Sequence, residues 1–158
     1  MTIIVTGGAG FIGSNFVKYL LKKYGEDIQI IIVDALTYAG NLASIKDEIE
    51  LDNVSFVKSD IADYETIKSV FTNNDIDYVV NFAAESHVDR SITNPKLFLE
   101  TNIIGTQNML QCAREAWYVG KDEMGSPVYK DGVKYLQIST DEVYGSLEKD
   151  FEEAQPLH

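Results

Sequence analysis

The first 13 residues place an apolar strand, a glycine-rich turn and the start of a helix in immediate succession. Residues 2–6 (TIIVT) form the apolar run, and residues 11–24 then repeat apolar side chains at helical spacing. The glycines between them are Gly7, Gly8, Gly10 and Gly13. Their two spacings, G-x-x-G-x-x-G and G-x-G-x-x-G, both fit a dinucleotide turn, in which the backbone approaches a pyrophosphate at a helix N-terminus. The sequence therefore predicts an α/β fold that starts with a nucleotide-binding unit.

Strand and helix patterns alternate along the rest of the chain. Further strands are predicted at 28–34, 54–59, 76–82 and 135–140. Helices are predicted at 63–74 and from Pro95 to about 118, whereas the polar stretch 119–134 is predicted to be a loop. The long helix carries one apolar stripe, formed by Leu99, Ile103, Leu110, Ala113 and Trp117. This alternation predicts one Rossmann-like domain over 1–158, with a doubly wound parallel sheet of five main strands.

The charge and the cysteine content narrow the classes of partner. With 13 basic and 25 acidic residues, the formal net charge is −12, which argues against binding to nucleic acid or to an anionic membrane. Cys112 is the one cysteine, lies in a predicted helix and is expected to be a buried, inert thiol. His87 and His158 are far apart, and no Cys/His cluster has metal-site spacing. Because the sequence contains neither a signal peptide nor a membrane-spanning run, the predicted compartment is the cytoplasm.

Acidic residues end the second and third predicted strands. Asp34 follows the glycine turn at the spacing where an acid accepts hydrogen bonds from an adenosine ribose, and its charge would repel a 2′-phosphate. The predicted cofactor is therefore NAD rather than NADP. Asp60 lies where the adenine would be, although Asp60 or Asp63 can instead cap the following helix. A glycine turn and a strand-end acid without any ligand form the simpler alternative.

Two hydroxyls and two adjacent carboxylates follow the fifth predicted strand, in the order Ser139, Thr140, Asp141 and Glu142. An acidic pair of this kind is, taken alone, more often part of a solvated turn. Adjacent carboxylates also disfavour each other's charge, so that one can hold a proton while the other is ionised. An acid and a base that act side by side need this arrangement.

Five segments together resemble the dTDP-glucose 4,6-dehydratases, which belong to the extended short-chain dehydrogenase/reductase family. The segments are TGGAGFIGSN (6–15), LTYAGN (36–41), NFAAESHVDRS (81–91), ETNIIGT (100–106) and ISTDEVYG (138–145). The resemblance spans the whole chain, with a departure at Ala35, where a lysine is expected. It implies bound NAD, a nucleotide-sugar substrate (dTDP-glucose) and a homodimer.

The resemblance also implies a role for each matching position. The implied cofactor-binding residues are Gly7, Gly10, Phe11, Ile12 and Gly13 at the pyrophosphate, Asp34, Ala35, Leu36 and Thr37 at the ribose, Asp60 and Ile61 at the adenine, and Phe82, Ala83, Ala84, Ser86 and Thr101 near the nicotinamide. The implied substrate-binding residues are Ser86 and Thr140, and the implied catalytic residues are Thr140, Asp141 and Glu142.

The implied reaction converts dTDP-glucose to dTDP-4-keto-6-deoxyglucose, a step of dTDP-rhamnose biosynthesis. A hydride leaves C4 for NAD, water is lost across C5–C6, and the hydride returns to C6. Glu142 would be the base at C5 and Asp141 the acid at the C6 hydroxyl, while Thr140 would hydrogen-bond the 4-hydroxyl. His87 is interpreted as a packing or capping residue.

The tyrosine–lysine pair with which this superfamily oxidises alcohols is expected on a helix after the fifth strand. The chain has two Tyr-x-x-x-Lys matches, Tyr19…Lys23 and Tyr64…Lys68, and both lie in earlier helices. We therefore expect an incomplete NAD-binding domain without the catalytic helix and the C-terminal substrate-binding part, and expect this chain alone to be inactive. A related epimerase or decarboxylase, and a non-catalytic NAD-binding module, are the alternatives.

Overall fold

A five-stranded parallel sheet forms the centre of the computed structural model, which describes residues 1–145 apart from the Glu142 side chain. The strands are β1 (Thr2–Thr6), β2 (Gln29–Asp34), β3 (Val54–Lys58), β4 (Tyr78–Asn81), β5 (Tyr118–Lys121), β6 (Pro127–Tyr129) and β7 (Lys134–Gln137). The main sheet has the order β3-β2-β1-β4-β7 with every pair parallel. The predicted Rossmann-like, doubly wound sheet is confirmed.

Helices connect these strands and cover both faces of the sheet. They are α1 (Phe11–Tyr24), α2 (Tyr64–Asn73), α3 (Val88–Thr93), α4 (Pro95–Phe98), a π-helical segment (Leu99–Gly105) and α5 (Thr106–Trp117). Short 3₁₀ turns occupy Gly25–Asp27, Leu42–Ile45, Glu48–Glu50 and Asp141–Tyr144. None of the helices within 1–145 is long and apolar enough to cross a membrane.

The central strands β1, β2 and β4 are buried on both faces, so the core divides into two layers. On one face, Ile4 and Val33 pack with Ile67 of α2 and Met109 of α5. On the other face, a second cluster contains β-strand side chains and Val17 of α1. Burial on both sides explains why the strand sequences are nearly continuous apolar runs.

The apolar stripe predicted for the long helix is buried only toward its C-terminal end. Leu99, Ile103 and Leu110 are 56%, 58% and 48% exposed, whereas Ala113 and Trp117 are buried. The helical run from Pro95 to Trp117 passes through the π-helical segment Leu99–Gly105. The first part of the stripe therefore forms an exposed apolar surface.

The structure corrects three further boundaries. The stretch 119–134, predicted as loop, contains the antiparallel hairpin β5–β6. The short helix α3 was not predicted, because its six residues carry too little periodicity. The fifth main strand ends at Gln137, so that residues 138–140 lie beyond it.

Cys112 is buried at 2% exposure, as predicted, and burial raises the pKa of its thiol to about 11. A thiol with this pKa stays protonated near neutral pH, which fits the expected inert side chain. The sequence also predicted that His87 and His158 lie far apart. His158 lies outside the described residues.

Candidate functional site

The glycine turn lies at the carboxyl end of β1 and is packed too tightly for larger residues. Gly7 has φ +64°, and a Cβ there would meet Ala83 N at 2.9 Å and Phe82 C at 3.0 Å. A Cβ on Gly13 would run into the Gly7 carbonyl oxygen. The turn therefore packs closely against α1 and the end of β4. Because glycine has no side chain, a ligand can approach the backbone of the turn closely.

The N-terminus of α1 presents backbone donors at this turn. The first helical bond is donated by Ser14 N to Gly10 O at 3.0 Å, so the N–H groups of Phe11, Ile12 and Gly13 precede the helical bonding pattern. The side chains of Phe11 and Ile12 are 86% and 62% exposed. This geometry fits a pyrophosphate, which a helix N-terminus stabilises through its N–H groups and dipole.

Asp34 is the acid that holds the two loops of the cleft together. Its Oδ2 accepts a hydrogen bond from Ala9 N at 2.9 Å, and its Oδ1 accepts one from Leu36 N at 2.8 Å. Leu36 takes φ +53°, a backbone conformation that this bond helps to hold. Each carboxylate oxygen has a further lone pair, so Asp34 can also accept from a ribose hydroxyl.

A cleft opens along the carboxyl ends of β1, β2, β3 and β4. It is lined by many of the predicted cofactor residues: Gly7, Gly10, Asp34, Ala35, Thr37, Asp60, Ile61, Phe82, Ala83, Ala84 and Thr101. The lining also includes residues that sequence reasoning did not name: Val33, Ala39, Gly40, Ser59, Glu85 and Leu97. Phe11, Ile12, Gly13, Leu36 and Ser86 do not line this cleft. The structure thus brings most of the predicted set together, while their roles stay predictions.

Only one of the two candidate caps for α2 caps the helix. Asp63 caps the helix, because its carboxylate accepts from Thr66 N at 3.3 Å and from Thr66 Oγ1 at 2.7 Å. The Thr66 hydrogen bonds lower the pKa of Asp63. Asp60 accepts from Ala62 N at 2.9 Å and lines the cleft. Asp60 is therefore left at the position predicted for the adenine.

A second pocket continues from the cleft toward the end of β7. Ala83, Ala84 and Glu85 line both spaces. The second pocket also brings together Ser86, Thr140 and Asp141, the predicted substrate and acid residues. The backbone of Glu142 lies in the turn Asp141–Tyr144, and its side chain lies outside the described part of the chain.

A polar network that sequence reasoning missed joins the ends of β1, β4 and β7. Thr6 Oγ1 bonds Asn81 Oδ1, and Asn81 Nδ2 donates to Gln137 Oε1 at 2.8 Å. Thr6 Oγ1 also accepts from Ala83 N at 3.2 Å, and Tyr135 OH donates to Gln137 Oε1 at 3.2 Å. Burial raises the pKa of Tyr135 to about 12. The sequence signal that could have predicted this network is a polar residue at the last position of each strand: Thr6, Asn81 and Gln137.

Glu85, Arg90 and Asn102 form a second polar group that was missed. The Glu85 side chain is 5% exposed, and its Oε2 lies 3.3 Å from Arg90 Nη1. Asn102 bonds the Glu85 backbone twice, through Oδ1 from Glu85 N and through Nδ2 to Glu85 O, each at 2.8 Å. Asn102 belongs to the π-helical segment, an element that recurs at functional sites.

The two Tyr-x-x-x-Lys matches lie away from this edge of the sheet. Lys23 Nζ is 5.7 Å from the Tyr19 ring centroid on α1, and Lys68 Nζ is 5.5 Å from the Tyr64 ring centroid on α2. Neither pair lines the cleft or the second pocket. Their rejection as catalytic pairs agrees with this placement.

Several known proteins with similar sequences are named dTDP-glucose 4,6-dehydratases. The family model described as GDP-mannose 4,6 dehydratase matches residues 4–158. A probable dTDP-glucose 4,6-dehydratase of Sinorhizobium fredii is 49% identical over 158 residues, which are 99% of this chain and 43% of that protein. The low-salt glycan biosynthesis protein Agl12 of Haloferax volcanii is 45% identical, over 99% of this chain and 45% of that protein.

Solved structures give the same picture with a broader range of activities. The dTDP-glucose 4,6-dehydratase of Streptomyces venezuelae, crystallised with NAD, matches with a TM-score of 0.76 and 43% identity, over 94% of this chain and 42% of that one. The UDP-Glc/GlcNAc 4-epimerase of Campylobacter jejuni also has a TM-score of 0.76, at 25% identity, over 99% of this chain and 43% of that one. The backbone similarity to the two enzymes is therefore equal, whereas the sequence identity to the dehydratase is higher.

The chain spans less than half the length of the curated relatives it matches, at 43% of the Sinorhizobium fredii protein. The family match itself covers nearly all of the chain. This chain therefore belongs to the GDP-mannose 4,6 dehydratase family, and several of its relatives are named dTDP-glucose 4,6-dehydratases.

Proposed function

We propose that the whole protein is an NAD-dependent dTDP-glucose 4,6-dehydratase and that this chain supplies its NAD-binding portion. The observation that carries the proposal is that two spaces adjoin at the sheet edge, since Ala83, Ala84 and Glu85 line both. Asp34 and the glycine turn border one space, while Ser86, Thr140 and Asp141 border the other. The identity of 49% to a probable dTDP-glucose 4,6-dehydratase supports the choice of reaction.

The cleft residues fit a dinucleotide. The tight packing at Gly7 and Gly13 lets the backbone approach a pyrophosphate closely, and the N–H groups in the first turn of α1, which precede the helical bonding pattern, can bind it. Asp34 accepts from the ribose hydroxyls and places a negative charge where NADP would carry its phosphate. When bound at these residues, NAD would supply the hydride chemistry, as the acceptor for C4 and the donor for C6 of the sugar.

The residues after β7 carry out the loss of water. Thr140 hydrogen-bonds the sugar's 4-hydroxyl and orients C4. Glu142 removes the C5 proton, which a ketone at C4 has made acidic, and Asp141 gives its proton to the departing C6 hydroxyl. One water molecule leaves, and a C5–C6 double bond remains for reduction. By the same reasoning, this chain alone is proposed to be inactive, because its described residues bring no Tyr–Lys pair to the site.

The proposed oligomer is a homodimer. Leu99, Ile103 and Leu110 expose an apolar surface along the long helical run, and such surfaces favour association with another protein. The proposed compartment is the cytoplasm, which fits the single thiol at Cys112. Light scattering on the whole protein tests the dimer.

A 4-epimerase is the second candidate, because the Campylobacter jejuni epimerase matches the backbone equally well. Epimerisation removes and returns a hydride at C4 and needs no acid–base pair for dehydration. The whole protein, incubated with NAD and dTDP-glucose, is expected to form a 4-keto-6-deoxy sugar nucleotide that NMR identifies. A C4 epimer with no loss of water would favour the epimerase, and NAD binding without any turnover would favour a non-catalytic module.

A further inference from the structure

Arg90 lies between the two walls of the cofactor cleft. Its guanidinium Cζ is 4.1 Å from the Tyr38 ring centroid, and its Nη1 is 3.3 Å from Glu85 Oε2. Glu85 lines the cleft on one wall, and the residues on either side of Tyr38, Thr37 and Ala39, line it on the other. The side chain of Arg90 therefore connects the loop after β2 to the segment after β4.

The wall that carries Glu85 is firmly held. Asn102 bonds both backbone groups of Glu85 at 2.8 Å, and the Glu85 carboxylate is almost fully buried. A buried carboxylate requires a positive partner, which here is Arg90. Arg90 is in this way anchored to the sheet side of the cleft.

The opposite wall is a loop that is fixed at its ends. Leu36 N donates to Asp34 Oδ1 at 2.8 Å, and Asn41 N donates to Ala9 O at 3.0 Å. Tyr38, between these two anchors, is 58% exposed and stacks on Arg90. The middle of the loop thus meets the opposite wall through the contact between the Tyr38 ring and the Arg90 guanidinium, at a distance that favours a cation–π interaction.

We propose that the Tyr38–Arg90 stack is a clasp that holds the loop over the bound dinucleotide and slows its release. Both are positioning residues, because they act on the walls of the cleft and not on the reacting atoms. The inference rests on the proposed binding of NAD. A dinucleotide that fills the cleft leaves when the loop moves away from Glu85, and this movement breaks the stack. The strength of the stack therefore enters the dissociation rate.

The test measures NAD release from the whole protein by displacement with excess unlabelled NAD, using a fluorescent NAD analogue. Tyr38→Ala is expected to speed release by about threefold to tenfold, the range of a cation–π contact. Tyr38→Phe keeps the ring and is expected to release at the wild-type rate. Tyr19→Ala is the matched control, because Tyr19 is a similarly exposed tyrosine, 53%, beside Lys23 on α1.

Arg90→Lys keeps a positive charge for Glu85 but loses the planar guanidinium, so it separates the clasp from the buried ion pair. Release is expected to speed up as in Tyr38→Ala, and adding Tyr38→Ala to Arg90→Lys is expected to have no further effect. Equal release from the wild type and Tyr38→Ala, or fully additive effects in the double variant, would overturn the clasp alone. A wild-type protein that does not bind the analogue would overturn the proposed cofactor, and the clasp with it.

Discussion

Asn81 is a buried polar residue whose hydrogen bonds connect the carboxyl ends of three strands. It is fully buried at the end of β4 and bonds Thr6 of β1 and Gln137 of β7. Thr6 in turn accepts from Ala83 N, the start of the segment that lines both the cleft and the second pocket. The positions of Ala83 and of the residues after Gln137 therefore depend on one amide.

We predict that Asn81→Ala destabilises the whole protein by about 1–3 kcal/mol, because the buried Thr6 hydroxyl loses its acceptor. Urea denaturation measures the loss. Asn73→Ala is the control: Asn73 is exposed on α2 and bonds Ser69, so its replacement is expected to change stability by less than about 0.5 kcal/mol. Equal losses in the two variants would argue against a stabilising network.

A second prediction at this scale concerns Asp34. Replacement by Ala removes the proposed acceptor for the ribose and the acceptor for Ala9 N and Leu36 N. NAD affinity is expected to fall by about tenfold or more, the range for hydrogen bonds to a charged group. NADP affinity should change less, so the preference narrows. Calorimetric titration with NAD and with NADP measures the ratio of the two affinities. An unaltered ratio in the variant would mean that a group other than Asp34 selects the cofactor.

Among the elements, the π-helical segment has the largest effect on what could be predicted. The apolar strands β1 to β4 lie within two residues of their predicted bounds, since a strand buried on both faces is readable from a single apolar run. The π-helical segment itself was not predicted, because a local change from the α-helical to the π-helical period leaves no signal in the apolar pattern. The hairpin β5–β6 was missed because exposed strands lack an apolar signal, and Glu85 with Arg90 because their pairing depends on tertiary contact.

Gly105 ends the π-helical segment and lies against Ile61, which lines the cleft. A Cβ there would lie 2.5 Å from Ile61 Cγ1 and 2.7 Å from Ile61 Cδ1, and Ile61 is itself buried. We predict that Gly105→Ala lowers stability by about 1–3 kcal/mol, as overpacking does, and weakens NAD binding by displacing Ile61. The exposed Gln107→Ala on the same helical run is the control. Wild-type stability together with wild-type affinity in Gly105→Ala would refute the close packing.

The start of β4 gives a prediction about pH. Asp77 accepts from Thr2 N at 2.9 Å and pairs with Lys130 at 2.9 Å, and these contacts lower the pKa of its carboxyl, the Thr2 bond most. A folded pKa below the unfolded value of about 4 means that the stabilisation is complete above pH 4 and is lost as the pH falls through the folded pKa. Asp77→Asn is therefore expected to weaken the acid-side loss of stability.

Thermal unfolding measures this effect as a smaller fall in stability between neutral pH and pH 3 than in the wild type. Asp77 supplies only a part of the whole acid-induced loss, because other carboxylates also titrate in this range. The matched control is Asp75→Asn, since Asp75 contacts the same lysine at 2.8 Å but is 89% exposed, and exposed pairs contribute little. An acid response in Asp77→Asn identical to that of the wild type would show that Asp77 is not a stabilising anchor.

At the scale of the whole molecule, parallel topology places the candidate chemistry on one edge. Because β1, β2, β4 and β7 run in the same direction, the glycine turn, Asp34, the Ala83–Ser86 segment and Thr140 all follow strand ends. This convergence was predictable from the alternation of strands and helices alone. That the two pockets adjoin was not predictable, since it depends on the tertiary packing of the Ala83–Glu85 segment, which lines both.

The central claim is that the carboxylates after β7 remove water from a sugar that NAD has oxidised. The most direct measurement is the absorbance of NADH together with product analysis for Glu142→Gln in the whole protein, supplied with dTDP-glucose. The variant is expected to accumulate NADH and to form no 4-keto-6-deoxy product, because oxidation at C4 proceeds without the base at C5. Glu123→Gln, a change in the exposed hairpin, should behave as the wild type. Product formation by Glu142→Gln at the wild-type rate would contradict the claim.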